Sequence, residues 1–274
     1  MARKGSEEPE QDLADEISEE QVAISPNEVA DPQEIVDTKI PKDIRSRYEI
    51  YSYRNAAVIL SETRKKQFEE ILNVLRSFSL TTTMIRTAGG NESEIPKIFS
   101  KTLRPQGWHE TIVQGDLIIR QISREIVGKL ANGKPKFDKV EKQFTRRNFL
   151  DGHKIDYVKE RVAFDLEWNS KDQTFDRDLY AFSAFAQCGV VDAAVLVTRA
   201  TTLTPLIRDL GPALTKEGKV ELTKTGIPRP TSAKYGASTT WMGKLLYRLN
   251  AGRNGACPVL AVGITPQCVK DWKQ

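Results

Sequence analysis

Three carboxylates in the middle of the chain are spaced so that two short strands would bring them together. The strands are Lys154-Ile-Asp-Tyr-Val158 and Val162-Ala-Phe-Asp-Leu-Glu-Trp-Asn169, with Lys159, Glu160 and Arg161 as the turn between them. Successive strand side chains point to opposite faces, so Asp165, Glu167 and Asn169 share one face while Phe164, Leu166 and Trp168 take the other. Folding the first strand back sets Asp156 beside Asp165. Like charges at that range repel strongly. A cation among them relieves the repulsion, and ligands that are all oxygen suit Mg²⁺. A plain hairpin with a wet outer face shows the same alternation without any metal, so the rest of the chain has to separate the two readings.

Charge points to a polyanionic partner. Residues 1–38 hold 2 basic and 12 acidic side chains, which leaves 39 basic and 25 acidic side chains for the remainder of the 274-residue chain. A body that basic suits nucleic acid, whereas a net charge of +4 taken over the whole chain conceals the asymmetry. The first 38 residues, rich in Glu, Asp, Ser and Pro without sustained apolar period, read as an acidic disordered tail, and residues 39–274 as one folded domain. No apolar run is long enough to span a bilayer, and the N-terminus lacks the apolar stretch of a signal peptide, so no membrane partner and a cytoplasmic location are expected. Cys188, Cys257 and Cys268 are odd in number and irregular in spacing, as reduced structural thiols would be. With only His109 and His153 besides, a zinc centre is not expected.

The elements that must position the acids follow from periodicity. Ser61 is placed to cap a helix running to about Phe78, with Phe68, Ile71, Leu72, Leu75 and Phe78 on one face. Ala88–Glu92 reads as a loop, Ile112–Ile122 as a weak strand or hairpin arm, and Asn132-Gly-Lys-Pro135 as a turn inside a strongly basic stretch that continues to Arg147. After the carboxylates comes a helix with Leu179, Phe182, Phe185 and Ala186 on its buried face. The near-continuous apolar run Val190–Val197 reads as a central buried strand. A short helix within Leu203–Leu210, a core strand Pro258–Ile264 and a last helix opened by Thr265-Pro266 complete the chain. Strands alternating with helices predict an α/β fold: a central mixed β-sheet flanked by helices.

At the hairpin the chain resembles the PD-(D/E)-x-K nucleases, which carry an Asp on one strand and an acidic-x-Lys triplet on the next. Here Asp156 matches the first acid, Asp165 the second, and Glu167 stands where those enzymes have Lys; Ile155 rather than Pro precedes the first Asp. Replacement of that Lys by Glu or Gln is similar to the type II restriction endonucleases of the BamHI, BglII and BstYI group. The nine-residue step from Asp156 to Asp165 looks like the BglII pattern, and the acidic-x-Glu ending like BamHI. The resemblance extends to Asn55-Ala-Ala-Val-Ile-Leu60, the helix ending near Phe78, Pro105-Gln-Gly-Trp108 and the strand 190–197, covering roughly residues 46–264. It implies a restriction-endonuclease-like fold and Mg²⁺-dependent hydrolysis of double-stranded DNA at a palindromic site, with 5′-phosphate ends and two copies of the chain acting as a homodimer. It implies that Asp156 and Asp165 are metal ligands, with Glu167 binding a second metal or activating water. Relatives of this group suggest a site centred on GATC. A competing frame, with Glu167 as the second acid and Asn169 as the third group, fits the spacing less well.

Sequence reading would fall to other residues. Asn169, Ser170 and Lys171 leave the catalytic strand where that group places a DNA-contacting loop; Asn can pair with adenine, and Lys with guanine or a phosphate. Lys234, Tyr235, Ser238, Thr239, Thr240 and Lys244 form a second candidate segment with two glycines for close backbone approach. Arg199 ends the central strand and is a further candidate. Trp168 and Trp241 read as core residues. Two other readings stay open at this point: a repair or recombination nuclease of the same superfamily, and a DNA-binding protein without catalysis.

Overall fold

A computed structural model describes residues 29–87 and 93–272. It falls into two units, a body made of the chain up to Thr111 and from Ile155 onwards, and a smaller unit, Ile112–Lys154. The elements of the body are α1 (Gln33–Lys39), α2 (Lys42–Arg45), β1 (Tyr48–Tyr53), α3 (Ala56–Thr63), α4 (Lys65–Ser77), α5 (Thr82–Thr87) and α6 (Glu94–Leu103). Strands β2 (His109–Lys129) and β3 (Pro135–Lys159) then run through the smaller unit. The chain continues with β4 (Val162–Glu167), α7 (Thr174–Gln187), β5 (Ala193–Arg199), α8 (Leu203–Asp209), α9 (Met242–Asn250) and β6 (Val259–Ile264). The strand order is β1-β6-β5-β4-β3-β2. β4, β5 and β6 are parallel to one another, while β1 pairs antiparallel with β6 and β3 antiparallel with β4. The expected α/β fold with a mixed sheet and flanking helices is therefore what forms.

The parallel strands are rich in aliphatic residues because helices cover both faces of such a sheet. Every residue of β4, β5 and β6 is buried. On one face a file of rings links helix to strand. Phe78 lies 4.8 Å from Phe99, Phe99 5.5 Å from Phe164, and Phe164 5.7 Å from Tyr157 on β3. The expected stripe Phe68, Ile71, Leu72, Leu75 and Phe78 is buried here. Two ion-paired clips fix where the carboxylate strands start and turn. Lys159 at the end of β3 binds Glu70 of α4 at 2.6 Å, and Glu70 also accepts a hydrogen bond from Trp108 Nε1 at 2.9 Å. Asp192, just before β5, accepts hydrogen bonds from Arg64 Nε at 2.7 Å and Arg161 Nε at 2.8 Å, and Arg161 foremost among its partners holds its carboxyl below the usual range.

Several expectations need correction. Ser61 lies inside α3 and caps nothing. The helix breaks at Arg64, whose non-helical dihedrals (φ −125°, ψ 38°) separate α3 from α4, and the Ser61 hydroxyl donates back to Val58 O. Residues 33–39 form α1 with Val36 buried, and Asp31 accepts hydrogen bonds from Asn55 N, so the folded region begins before the boundary placed at 38/39. Residues 1–28 of the acidic tail and the Ala88–Glu92 loop fall outside the described residues. The turn between β3 and β4 has two residues rather than three, because Lys159 still pairs with Val162. Glu160 has φ 51°, the positive value that a two-residue hairpin of this twist requires. The turn read at Asn132–Pro135 forms, and the basic stretch after it belongs to the 25-residue strand β3, which follows the 21-residue β2 in the sheet order. The Thr265-Pro266 start does open a short 3-10 turn, Pro266–Cys268. Cys188 is exposed, Cys257 and Cys268 are buried, and all three are free thiols.

Candidate active site

The register of the hairpin decides which acids meet. Tyr157 pairs with Phe164, Val158 with Ala163 and Lys159 with Val162. One step further along this register, Asp156 stands opposite Asp165. The β3 alternation turns Tyr157 into the core, where its hydroxyl meets Ser100 Oγ at 2.7 Å and Arg104 lies over its ring. Asp156 therefore takes the other face. Asp165 and Glu167 follow it there by the two-residue period of β4.

That face is covered by α7, which brings in a fourth acid, Asp178. Asp165, Glu167 and Asp178 are respectively 3, 5 and 1% exposed. Burying several carboxylates together is costly unless charge is neutralised. Burial, reinforced by Asp178, Asp156 and Glu167, holds the Asp165 carboxyl well above the ordinary range. Burial and the neighbouring Glu167 push Asp178 up to about 8, against the lowering by Arg177. Arg177 supplies the nearby cation: one guanidinium nitrogen lies 3.0 Å from Asp178 Oδ1 and 3.6 Å from Glu167 Oε1. Its side chain is half exposed, which weakens that neutralisation. Glu167 Oε2 and Asp178 Oδ2 are buried without a hydrogen-bond partner among the described residues. Asp165 Oδ1 accepts from Leu166 N at 3.2 Å.

The donor set fits a hard divalent cation, since the clustered groups are carboxylates and two of their buried oxygens have no donor among the described residues. As the side chains stand, no three acidic, His or Cys groups among the described residues converge closely enough to hold an ion, so binding calls for side-chain rotation. Asp178 escaped sequence reasoning because the helical period puts it on the buried face with Phe175, Leu179 and Phe182, where apolar residues dominate. A buried-face acid eleven residues beyond Glu167 was the available signal.

The two segments expected to read DNA are brought side by side. Lys171 bridges Thr239 in antiparallel fashion, Asp172 N donates to Ser238 O, and Thr240 N donates to Ser170 O, both at 2.9 Å. They meet beyond the ends of β4 and β5. Arg199 is the fastener: its guanidinium donates to Trp168 O at 3.0 Å, Thr240 O at 2.7 Å and Thr239 Oγ1 at 2.7 Å, and it lies 4.8 Å from the centre of the Tyr235 ring. Arg199 is thus buried structure rather than an outward-reaching contact, a correction with a clear cause: the strand end it occupies is capped by the 236–240 loop. The same correction applies to Thr240, which is buried and donates to Glu167 O, and to Tyr235, whose hydroxyl donates to Ile85 O. Lys234 is engaged with Glu221 at 2.6 Å and Lys244 with Asp172 at 3.1 Å. Asn169 Nδ2 donates to Lys234 O. Of the ten candidates, Lys171 and Ser238 are exposed, Asn169, Ser170, Lys234, Tyr235, Thr239 and Lys244 partly so, and Arg199 and Thr240 buried. Trp168 is core, edge-to-face with Tyr235, as read from the sequence.

No described helix is long and apolar enough to cross a membrane. The family model described as restriction endonuclease BglII/BglIII matches residues 48–264, a span that contains β1 through β6 and every acid of the cluster. No curated protein matches the chain at a significant level.

Proposed function

The chain belongs to the BglII/BglIII restriction endonuclease family, and from that premise we propose that it is a Mg²⁺-dependent type II endonuclease that cuts both strands of double-stranded DNA at a short palindromic site. The observation that carries this reading is the meeting of Asp156 with Asp165 across the β3–β4 register, next to buried Glu167. Two-fold DNA calls for two-fold protein, so the acting species is a homodimer. The products carry 5′-phosphate and 3′-hydroxyl ends, and GATC is the proposed centre of the site.

Asp156 and Asp165 would hold the cation from the two arms of the hairpin. When bound, Mg²⁺ neutralises the phosphate, lowers the pKa of a water and stabilises the leaving oxygen. Glu167 lies one pleat further along, with Oε2 available to bind a second cation or to orient the attacking water and accept its proton. Asp178 and Arg177 set the charge around Glu167: a proton held by Asp178 and the guanidinium together balance the buried acids. The alternative frame, with Asn169 as the third group, is disfavoured because Asn169 lies past the end of β4 and is tied to Lys234 O. Lys171, Ser170 and Ser238, exposed or partly exposed on the joined loops, would be the groups that meet DNA.

The test is digestion of unmethylated phage DNA by purified protein in Mg²⁺ and in EDTA. Discrete fragments in Mg²⁺ alone, with end sequencing giving site and stagger, are the expected result. A smear favours a nonspecific or structure-directed repair nuclease. Intact DNA that still shifts on a gel, with methylated substrate equally uncut, would overturn catalysis.

A further inference from the structure

We propose that Glu167 and Asp178 form a second divalent-cation site beside the Asp156–Asp165 pair, and that Arg177 holds this site while the cation is absent and yields it when the ion arrives. The inference rests on the Mg²⁺-dependent nuclease reading above and deepens it. It gives a role to an acid on α7, outside the hairpin motif, and to the guanidinium next to it. The two carboxylates lack a partner that the fold itself supplies in full. The Asp178 side chain is fully buried and that of Glu167 nearly so. Glu167 Oε2 and Asp178 Oδ2 have no hydrogen-bond partner among the described residues. A buried acceptor left without a donor is costly, and more so when charged. A hard dication satisfies both oxygens at once. Mg²⁺ is commonly held by one or two carboxylates while waters or substrate phosphates complete its shell, so two acids are enough.

The pairing made by Arg177 is that of a placeholder. Its Nε and one terminal nitrogen both donate to Asp178 Oδ1, at 3.1 and 3.0 Å, and leave Oδ2 unused. A matched guanidinium–carboxylate pair puts one nitrogen on each oxygen. The approach of Arg177 to Glu167 Oε1 is 3.6 Å, beyond hydrogen-bond reach. Elsewhere the chain saturates its structural acids. Asp192 takes Arg64 on Oδ2 and Arg161 on Oδ1. Glu70 takes Lys159 on both oxygens and Trp108 on one of them. The half-used fork at Asp178 therefore differs from the ion pairs that clip the fold together. Arg177 is also half exposed, so its guanidinium can move into water without unpacking a buried side chain. Charge runs the same way. When ionised, Asp156, Asp165, Glu167 and Asp178 together far outweigh the guanidinium beside them. An ion between the hairpin acids offsets Asp156 and Asp165 and leaves Glu167 and Asp178 sharing Arg177. A second dication completes the balance and repels Arg177 outward.

The experiment measures Mn²⁺ uptake by the full-length protein without DNA, by calorimetry and by electron paramagnetic resonance of the free ion. Wild type should bind two ions per chain. Arg177→Met should tighten the weaker ion about tenfold or more, or bring it into view where wild type shows only one. Asp178→Asn should weaken that ion about tenfold or more and leave the other nearly unchanged. The double variant should match Asp178→Asn, since a guanidinium competes only where the acids bind an ion. Circular dichroism checks the folding of each variant. Because a variant can misfold, the wild type gives a second reading in ¹⁵N NMR. The Arg177 Nε–H signal, identified by its loss in Arg177→Lys, should shift and exchange faster with solvent as Mg²⁺ replaces EDTA. An affinity that Arg177→Met leaves unchanged or lowers overturns the proposal, as does an Asp178→Asn protein that binds both ions like wild type. An Arg177 signal indifferent to Mg²⁺ overturns it equally. Cation binding is read without substrate, so a protein that shows the two-ion pattern yet leaves phage DNA intact in Mg²⁺ sinks the nuclease reading alone. Cleavage by a protein whose Arg177 and Asp178 variants bind Mn²⁺ as wild type does removes this site and keeps the nuclease.

Discussion

Replacing Asp178 with Asn should stabilise the metal-free protein at pH 8, which is an unusual outcome for a buried charged residue held by an arginine. The Asp178 carboxyl titrates at about 8 in the fold against 3.8 for a solvated aspartate. Between those values the unfolded chain is ionised while the folded chain keeps its proton. This contribution to stability is therefore full below about pH 4 and is lost as pH rises toward 8. At about 1.36 kcal/mol per unit, the cost approaches roughly 5 kcal/mol at the upper end. The amide has no such cost and still has hydrogens to donate toward Glu167. It forfeits the charge-assisted bonds from Arg177, made at 3.0 and 3.1 Å, worth about 2 kcal/mol. The net gain is about 3 kcal/mol at pH 8, or roughly 6–12 °C in Tm for a body of this size. At pH 5 the two terms nearly cancel. Thermal unfolding in EDTA at pH 5, 6.5 and 8 measures this directly. A variant that is less stable than wild type at pH 8, or an advantage that does not shrink toward pH 5, would refute the electrostatic account of the cluster.

Asp156→Ala and Asp165→Ala should each abolish cleavage, by about 10³-fold or more, while gel-shift affinity stays equal or improves because negative charge near the phosphate is removed; joint loss of binding and cleavage in a folded variant would contradict the ligand role. Arg199→Met should destabilise the fold by about 2–4 kcal/mol in urea, since it strips donors from Trp168 O, Thr239 and Thr240 O. An unchanged midpoint with reduced DNA affinity would instead make Arg199 a DNA contact. Lys171→Ala should leave stability within about 0.5 kcal/mol and lower the salt dependence of DNA binding by about one unit of slope. An unchanged slope would exclude a phosphate contact there.

Local pattern and long-range packing each account for a different part of the site. Period-two alternation was enough to put Asp165 and Glu167 on one face, and the two apolar runs were enough to identify β5 and β6, because strands buried on both faces carry little besides aliphatic side chains. The helix break at Arg64 was not legible. No Pro or Gly marks it, and Arg64 is drawn out of the helical path by Asp192, more than a hundred residues away. The long hairpin was read only as a weak strand and a turn, since with no face buried it lacks the clean alternation that burial imposes.

The sequence by itself determined the family, the α/β class and the shared strand face of Asp165 and Glu167, because these depend on residue type and short spacing along single strands. Only the tertiary structure decided that Asp178 joins them, that the loops after Trp168 and before Trp241 are one platform, and that Arg199 fastens it rather than facing outward. Each of those facts is set by which elements pack against each other across tens of residues, and a buried acid or a buried arginine looks the same as an exposed one until its neighbours are known.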